Sequence, residues 1–233
     1  MRGPYSEYAA PPIYVYPAGP KRGVHFSRKE LTQLGVAILA LSAAFTIVYV
    51  RFDPQGFATS PGLFLAIFFP ASLLAVGTGV GLHEVMHKVV AQRYGHWAEF
   101  RYNPQGLMFA LILAAAVGFL YGAPGATWIT GAVTREQNGR ISAAGPATNI
   151  AIAAVFTVLF LVLEPRASAF GGAILVVYLL QVATVNAFLA GFNMLPIMPL
   201  DGAKVWAWNK GVYGALAVVA VGLIFLTFFP PNL

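Results

Sequence analysis

Long apolar runs alternate with short polar segments along this chain. The runs cover about Leu31–Val50, Gly62–Tyr94, Ile141–Leu163, Gly172–Phe192 and Val205–Phe229. Each reaches the roughly 20 residues that a helix needs to cross bilayer hydrocarbon. The second run exceeds a crossing, so its helix must tilt, kink or protrude, and Pro70 offers a kink point. In the same run Gly77, Gly79 and Gly81 would let another backbone come close. A further apolar stretch, Gly106–Tyr121, has a continuous part that is short for a span. Thr127–Thr134 reads as an extended strand, and Arg135–Arg140 as a polar turn carrying an Asn-Gly signal. The pattern predicts an all-α polytopic membrane protein. It has about five to six transmembrane helices and a small membrane-associated β-strand or re-entrant element. Residues 1–30, a Pro/Tyr-rich then basic tail, precede one membrane-embedded domain over 31–233.

Composition agrees. Of 233 residues, 58% are hydrophobic and 9% charged, against roughly a quarter charged in soluble domains. The first 30 residues lack an apolar core, so the first span is expected to act as the targeting signal. The net charge of +6 is not arranged as basic runs interleaved with aromatics, so nucleic acid is not the expected partner. It fits loop lysines and arginines on the cytoplasmic side of a lipid bilayer. That rule also bears on Gly106–Tyr121. If the stretch re-enters, only Arg51 and Arg166 of the 14 Lys+Arg lie outside. If it crosses, Arg51, Arg135, Arg140, Lys204 and Lys210 do. Five spans and one re-entrant element are therefore expected. Trp97 and Trp128 would mark the membrane interface.

The chemistry concentrates late in the second run, at His83-Glu84-Val85-Met86-His87. Histidines four apart lie on one helical face and can hold one metal ion, with Glu84 beside the first as a candidate base. Ionisable groups inside a span are costly and usually functional. The chain has no cysteine, so a metal site must draw on His, Asp or Glu. Two histidines leave zinc short of three protein ligands. Val90 and Arg93 stand where a metzincin would carry glycine and histidine, and Glu99 comes too early for a thermolysin arrangement. Glu136 and Glu164 fall in loops. Asp201 is the best third ligand by position, in a Pro-broken segment after a long span, although it could instead cap the last helix. His25 and His96 read as ordinary loop histidines. Ser72 and His83 are ~16 Å apart along one helix, which excludes a serine intramembrane site. A second facing membrane aspartate is missing, which excludes an aspartyl one.

Three separated motifs together resemble the site-2 protease family of intramembrane zinc metalloproteases: His83–His87, Ala144-Gly145-Pro146-Ala147-Thr148-Asn149, and Asn193–Gly202 with its Asn-x-x-Pro and Asp-Gly. The resemblance covers about Gly62–Lys210. It implies one catalytic Zn2+ held by His83, His87 and Asp201, with Glu84 as the catalytic base. It also implies hydrolysis of transmembrane protein substrates inside the bilayer of the cell membrane. The substrate helix must unwind to expose its carbonyls, and the strand at Thr127–Thr134, Thr130 included, could offer it an edge. Asn149 and Asn193 are candidate contacts to substrate backbone or supports for the Asp201 loop; helix-to-helix hydrogen bonding is the alternative. Two further classes stay open. One is a membrane zinc protease that processes lipidated termini. The other is a non-catalytic metal-binding or transport protein, against which Glu84 argues.

Overall fold

The computed structural model describes residues 23–120, 122, 124–167 and 170–230. The Pro/Tyr-rich part of the tail lies outside the described residues. Helix α1 is Arg28–Phe52 and α2 is Pro54–Thr59. Helix α3, Pro61–Val76, runs through a π-helical segment, Gly77–Leu82, into α4, His83–Arg93. Then come β1 (Trp97–Tyr102), α5 (Pro104–Val117), β2 (Gly125–Thr130), α6 (Arg135–Leu163), α7 (Phe170–Asn193), α8 (Asp201–Trp208) and α9 (Lys210–Phe228). Among the described residues, five stretches are long and apolar enough to cross a bilayer: Arg28–Phe52, Pro61–Arg93, Arg135–Arg166, Gly171–Asn193 and Lys210–Phe228. The chain is a multi-pass membrane protein of helices with one two-stranded sheet.

Local structure sets the boundaries, and in four places it departs from the sequence reading. The strand expected over Thr127–Thr134 covers Gly125–Thr130 instead. Residues 135–140 are not a turn. Thr134 accepts from the Gln137 N–H while the Gln137 side chain accepts from the Thr134 N–H. This reciprocal cap starts α6 at Arg135 and overrides the Asn-Gly signal. The last apolar run is not one helix. Asn209 adopts extended backbone, ends α8, and accepts from the N–H groups of Gly211 and Val212 to start α9. The loop after α1 contains α2, with Pro54 in its first turn and Asp53 accepting from the Gly56 N–H.

The sheet settles the course of Gly106–Tyr121. β1 and β2 are antiparallel, paired from Trp97↔Thr130 to Tyr102↔Gly125, so the chain between them returns to the level it left. α5 starts beneath the Asn103 cap and runs along α1. Leu107 and Ala110 pack with Ala37 and Leu41, and near its end the Arg51 guanidinium donates to the Ala116 carbonyl at 3.3 Å. Fourteen residues make a helix of ~21 Å. Gly118 turns the chain with φ +68°, a conformation that favours glycine. On the way back, a Cβ on Gly122 would sit 2.6 Å from the Gly106 carbonyl oxygen. The element is re-entrant, as the charge distribution predicts.

The sheet has one blocked rim and one open rim. The Asn103 N–H donates to the Pro124 carbonyl, so Arg101, Glu99 and Trp97 continue the hydrogen-bonded pairs by alternation. Ala98 and Phe100 therefore turn their backbone groups away from β2. There the Phe100 N–H donates to Glu30 at 3.0 Å and Gln92 donates to the Ala98 carbonyl at 3.2 Å. On β2 the outward-facing backbone is that of Gly125 and of the two residues that carry side chains, Thr127 and Ile129, and among the described residues no strand pairs with that rim. The Thr127 and Ile129 side chains share a face with Ala98 and Phe100, which are fully buried. The same corner buries Lys88 completely against Glu30, with Phe26 over the ammonium. Lys88, near the end of an apolar run where a lysine ordinarily reads as a membrane edge, is thus buried inside the protein.

Candidate metal centre

His83 and His87 fall on one face of α4 because four residues separate them, and α4 presents that face to α6. The approach is very close: a Cβ on Gly145 would lie 2.6 Å from the Cε1 and Nε2 of His83 and the Cε1 of His87. Only glycine fits there without shifting the rings. The Pro146 that follows is tolerated inside α6, and the turn around it lies directly over the imidazoles.

Each ring is fixed from behind. Asn149, fully buried, donates its amide to the Gly79 carbonyl at 2.9 Å, so its oxygen faces His83 Nδ1 at 2.8 Å. His87 Nδ1 lies 2.7 Å from the Ile141 carbonyl. Both acceptors require a proton on Nδ1, which leaves both Nε2 lone pairs pointing inward. Asn149 thus spends both ends of its amide inside the protein. The Gly79 carbonyl it uses belongs to the π-helical segment, where the widened turn redirects backbone groups. Two glycines of that segment also carry close packing: a Cβ on Gly79 would meet Leu189 at 2.8 Å and one on Gly81 would meet Ile38 at 3.1 Å, whereas Gly77 faces open space.

Asp201 arrives from the other side of the chain. The segment after α7 packs so tightly that a Cβ on Gly202 would sit 2.4 Å from the Met194 carbonyl. This delivers Asp201 as the first residue of α8, with no side-chain cap bond to that helix. Its Oδ2 is 3.3 Å from His83 Nε2 and 3.1 Å from His87 Nε2, and the two Nε2 atoms are 2.9 Å apart. All three residues are buried. Four ligands on a tetrahedral zinc at about 2.0–2.1 Å stand roughly 3.3 Å from one another. The triangle of donors fits that shape. A single proton can bridge two of the three atoms; one dication satisfies all three, and the fourth position stays open.

The remaining site residues are spread out. Glu84, next to His83, is half-buried, and its carboxylate takes a hydrogen bond from the Thr127 hydroxyl. Thr130 ends β2 opposite Trp97, on the face away from Thr127. Asn193 donates to the Leu189 carbonyl one turn back on α7. His96 meets Gln137. Three contributors were not legible as such: Gly145, the Ile141 carbonyl and Thr127. The first lies within a motif whose small residue hints at close packing. The second is backbone and carries no side-chain signal. The third reaches Glu84 across 43 residues of sequence.

Comparison with known proteins adds independent weight. The chain is 38% identical over 205 residues to a protein of Methanocaldococcus jannaschii, covering 88% of this chain and 97% of that one; its name is "Putative zinc metalloprotease MJ0611". It is 33% identical over 176 residues to Mycobacterium tuberculosis "Putative zinc metalloprotease Rip3", covering 68% of this chain and 38% of that longer protein. No family model and no solved structure matches. Three buried donors with zinc geometry, two of them on a span, three motifs in order and a relative aligned along nearly its whole length lead to one assignment: the chain belongs to the site-2 protease family of membrane zinc metalloproteases.

Proposed function

We propose that this protein is an intramembrane zinc endopeptidase of the cell membrane that cuts transmembrane proteins within or next to their spans. One observation carries the reading: a glutamate sits beside the first of three buried zinc donors, on a helix apolar enough to cross the bilayer. A metal-storage or transport site has no use for that glutamate. His83 lies ten residues before Arg93, or ~15 Å along the helix. Together with the charge distribution, that distance supports chemistry inside the bilayer, nearer the cytoplasmic face.

The residues take these roles. His83, His87 and Asp201 hold one Zn2+, which supplies Lewis acidity toward water and the scissile carbonyl. Asn149 and the Ile141 carbonyl keep the rings turned inward. Glu84 accepts the proton of the attacking water and delivers it to the leaving amine. The substrate span unwinds locally and adds as a strand along the open rim of β2, against the backbone of Thr127 and Ile129. Thr130 pairs back to β1, so it contributes less to this rim than its neighbours. Asn193 stands at the mouth of the Asp201 segment as a second candidate contact.

The test measures zinc content and cleavage together, on purified protein reconstituted with single-span substrates. Wild type binds one zinc and cuts within a span. Glu84→Gln keeps the zinc and loses at least ~100-fold in kcat, the scale of general acid–base catalysis. His83→Ala, His87→Ala and Asp201→Ala each lose the metal. An Asp201→Ala protein with full zinc and activity would rule out this ligand set.

A further inference from the structure

Most threonine hydroxyls in this protein satisfy themselves locally. Those of Thr32, Thr59, Thr148 and Thr157 each donate to the carbonyl four residues back in their own helix. Thr127 does not. From strand β2 its Oγ1 lies 2.8 Å from Glu84 Oε2 and 3.1 Å from the Glu84 main-chain oxygen. The hydroxyl has one proton to give. The carboxylate is the closer acceptor and the charged one, so it takes the stronger bond. Among the described residues, no Lys or Arg forms an ion pair with Glu84, and Thr127 is the side chain that donates to its carboxylate.

The two partners differ in stiffness. A glutamate side chain has three rotatable torsions and loses considerable entropy when held still. A threonine on a strand has one restricted torsion, and β2 is tied to β1 over six paired positions. The rigid group therefore fixes the flexible one. Thr127 is also one of the three β2 residues, with Gly125 and Ile129, whose backbone faces the open rim. Its main chain and its hydroxyl thus look toward different things: a peptide laid along the rim, and the carboxylate next to the metal donors.

We propose that Thr127 is the positioning residue of the general base, holding the Glu84 carboxylate in register with a peptide strand paired to Thr127's own backbone. The proposal deepens the protease reading above and rests on it. It assigns the hydroxyl no proton transfer; Glu84 remains the group that touches the reacting water.

Thr127→Val keeps the shape, the branching at Cβ and the strand backbone, and removes only the hydroxyl. Thr127→Ser restores it. Zinc stoichiometry should be unchanged in both. Losing one hydrogen bond to a charged group should lower the kcat of Thr127→Val roughly 10- to 100-fold, with KM within about twofold, and Thr127→Ser should recover most of it. A readout independent of cleavage is the infrared carboxylate band of Glu84, isolated by subtracting the Glu84→Gln spectrum. That band should shift in Thr127→Val and return in Thr127→Ser. An unmoved band overturns the proposal. So does wild-type kcat in Thr127→Val, a rise in KM alone, or a Thr127→Ser protein as slow as Thr127→Val. If wild type cuts no substrate or Glu84→Gln cuts normally, the protease reading fails, and the infrared comparison still judges the Thr127–Glu84 contact by itself.

Discussion

At the scale of single residues, the metal centre depends as much on what stands behind the histidines as on the histidines. Asn149 is the clearest case: it holds His83 with its oxygen and the Gly79 carbonyl with its amide. Asn149→Ala should weaken zinc affinity about 10- to 100-fold, the usual cost of losing an outer partner of a ligating histidine, as read by competition with a chelator. Gly145→Ala should do worse. Its Cβ would occupy the space of both imidazoles, so the protein should purify with little zinc while keeping its helical circular dichroism. The two histidines were legible in the sequence because helical spacing alone puts residues four apart on one face, and Glu84 stood out as the carboxylate beside the first of them. Asp201 was legible by elimination, since the alternatives had the wrong spacing or setting. Asn149 was visible as a polar group at membrane depth, but its partner was not. The Gly79 carbonyl becomes available in a π-helical turn, and no side chain announces one.

At the scale of elements, the corner where α1, α4 and β1 meet is held by a buried ion pair. Glu30 and Lys88 are each 1% exposed. The second oxygen of Glu30 receives the Phe100 N–H, and Phe26 covers the ammonium. Removing one partner leaves a charge buried without compensation, at a cost of about 3–5 kcal/mol. Lys88→Ala and Glu30→Ala should therefore each lower the unfolding midpoint in detergent sharply. The charge-free pair Glu30→Gln with Lys88→Met should recover much of the loss, and near-additive single effects would argue against the pair as a unit. The sequence offered no way to see this contact, because lysine near the end of an apolar run ordinarily marks a membrane edge. The same limit hid β1, whose six residues pair only with a strand 28 residues further on. Spans were legible because twenty apolar residues are a local signal. Strand partners and the break at Asn209 depend on contacts or caps that override local composition.

At the scale of the whole molecule, the fold brings His83 and Asp201 to the same level by an even number of crossings. After α4 the chain dips in and back through α5, then crosses out along α6 and returns along α7. A sixth crossing would have put Asp201 roughly 30 Å away, on the other side of the hydrocarbon. Charge counting anticipated this result, since it used the whole set of loops rather than any one segment. The blocked rim of β1 adds a sense of direction. Tyr102 packs against the core cluster that also takes Leu34 and Ile38 of the first span, whereas β1 begins four residues after the end of α4. With the membrane placement proposed above, β2 would run from depth toward the aqueous side between Gly125 and Thr130. A guest can join on one side only, and an antiparallel guest, the more stable partner, must travel the opposite way. In the proposed strand addition its amino end would enter from the water beside α4 and its carboxyl end would point into the lipid. A single-span substrate inserted with its amino terminus on that face should be cut several-fold faster than the same span inserted upside down. The sheet would then work as a turnstile, reading which way up a neighbour sits in the membrane before any side chain is inspected.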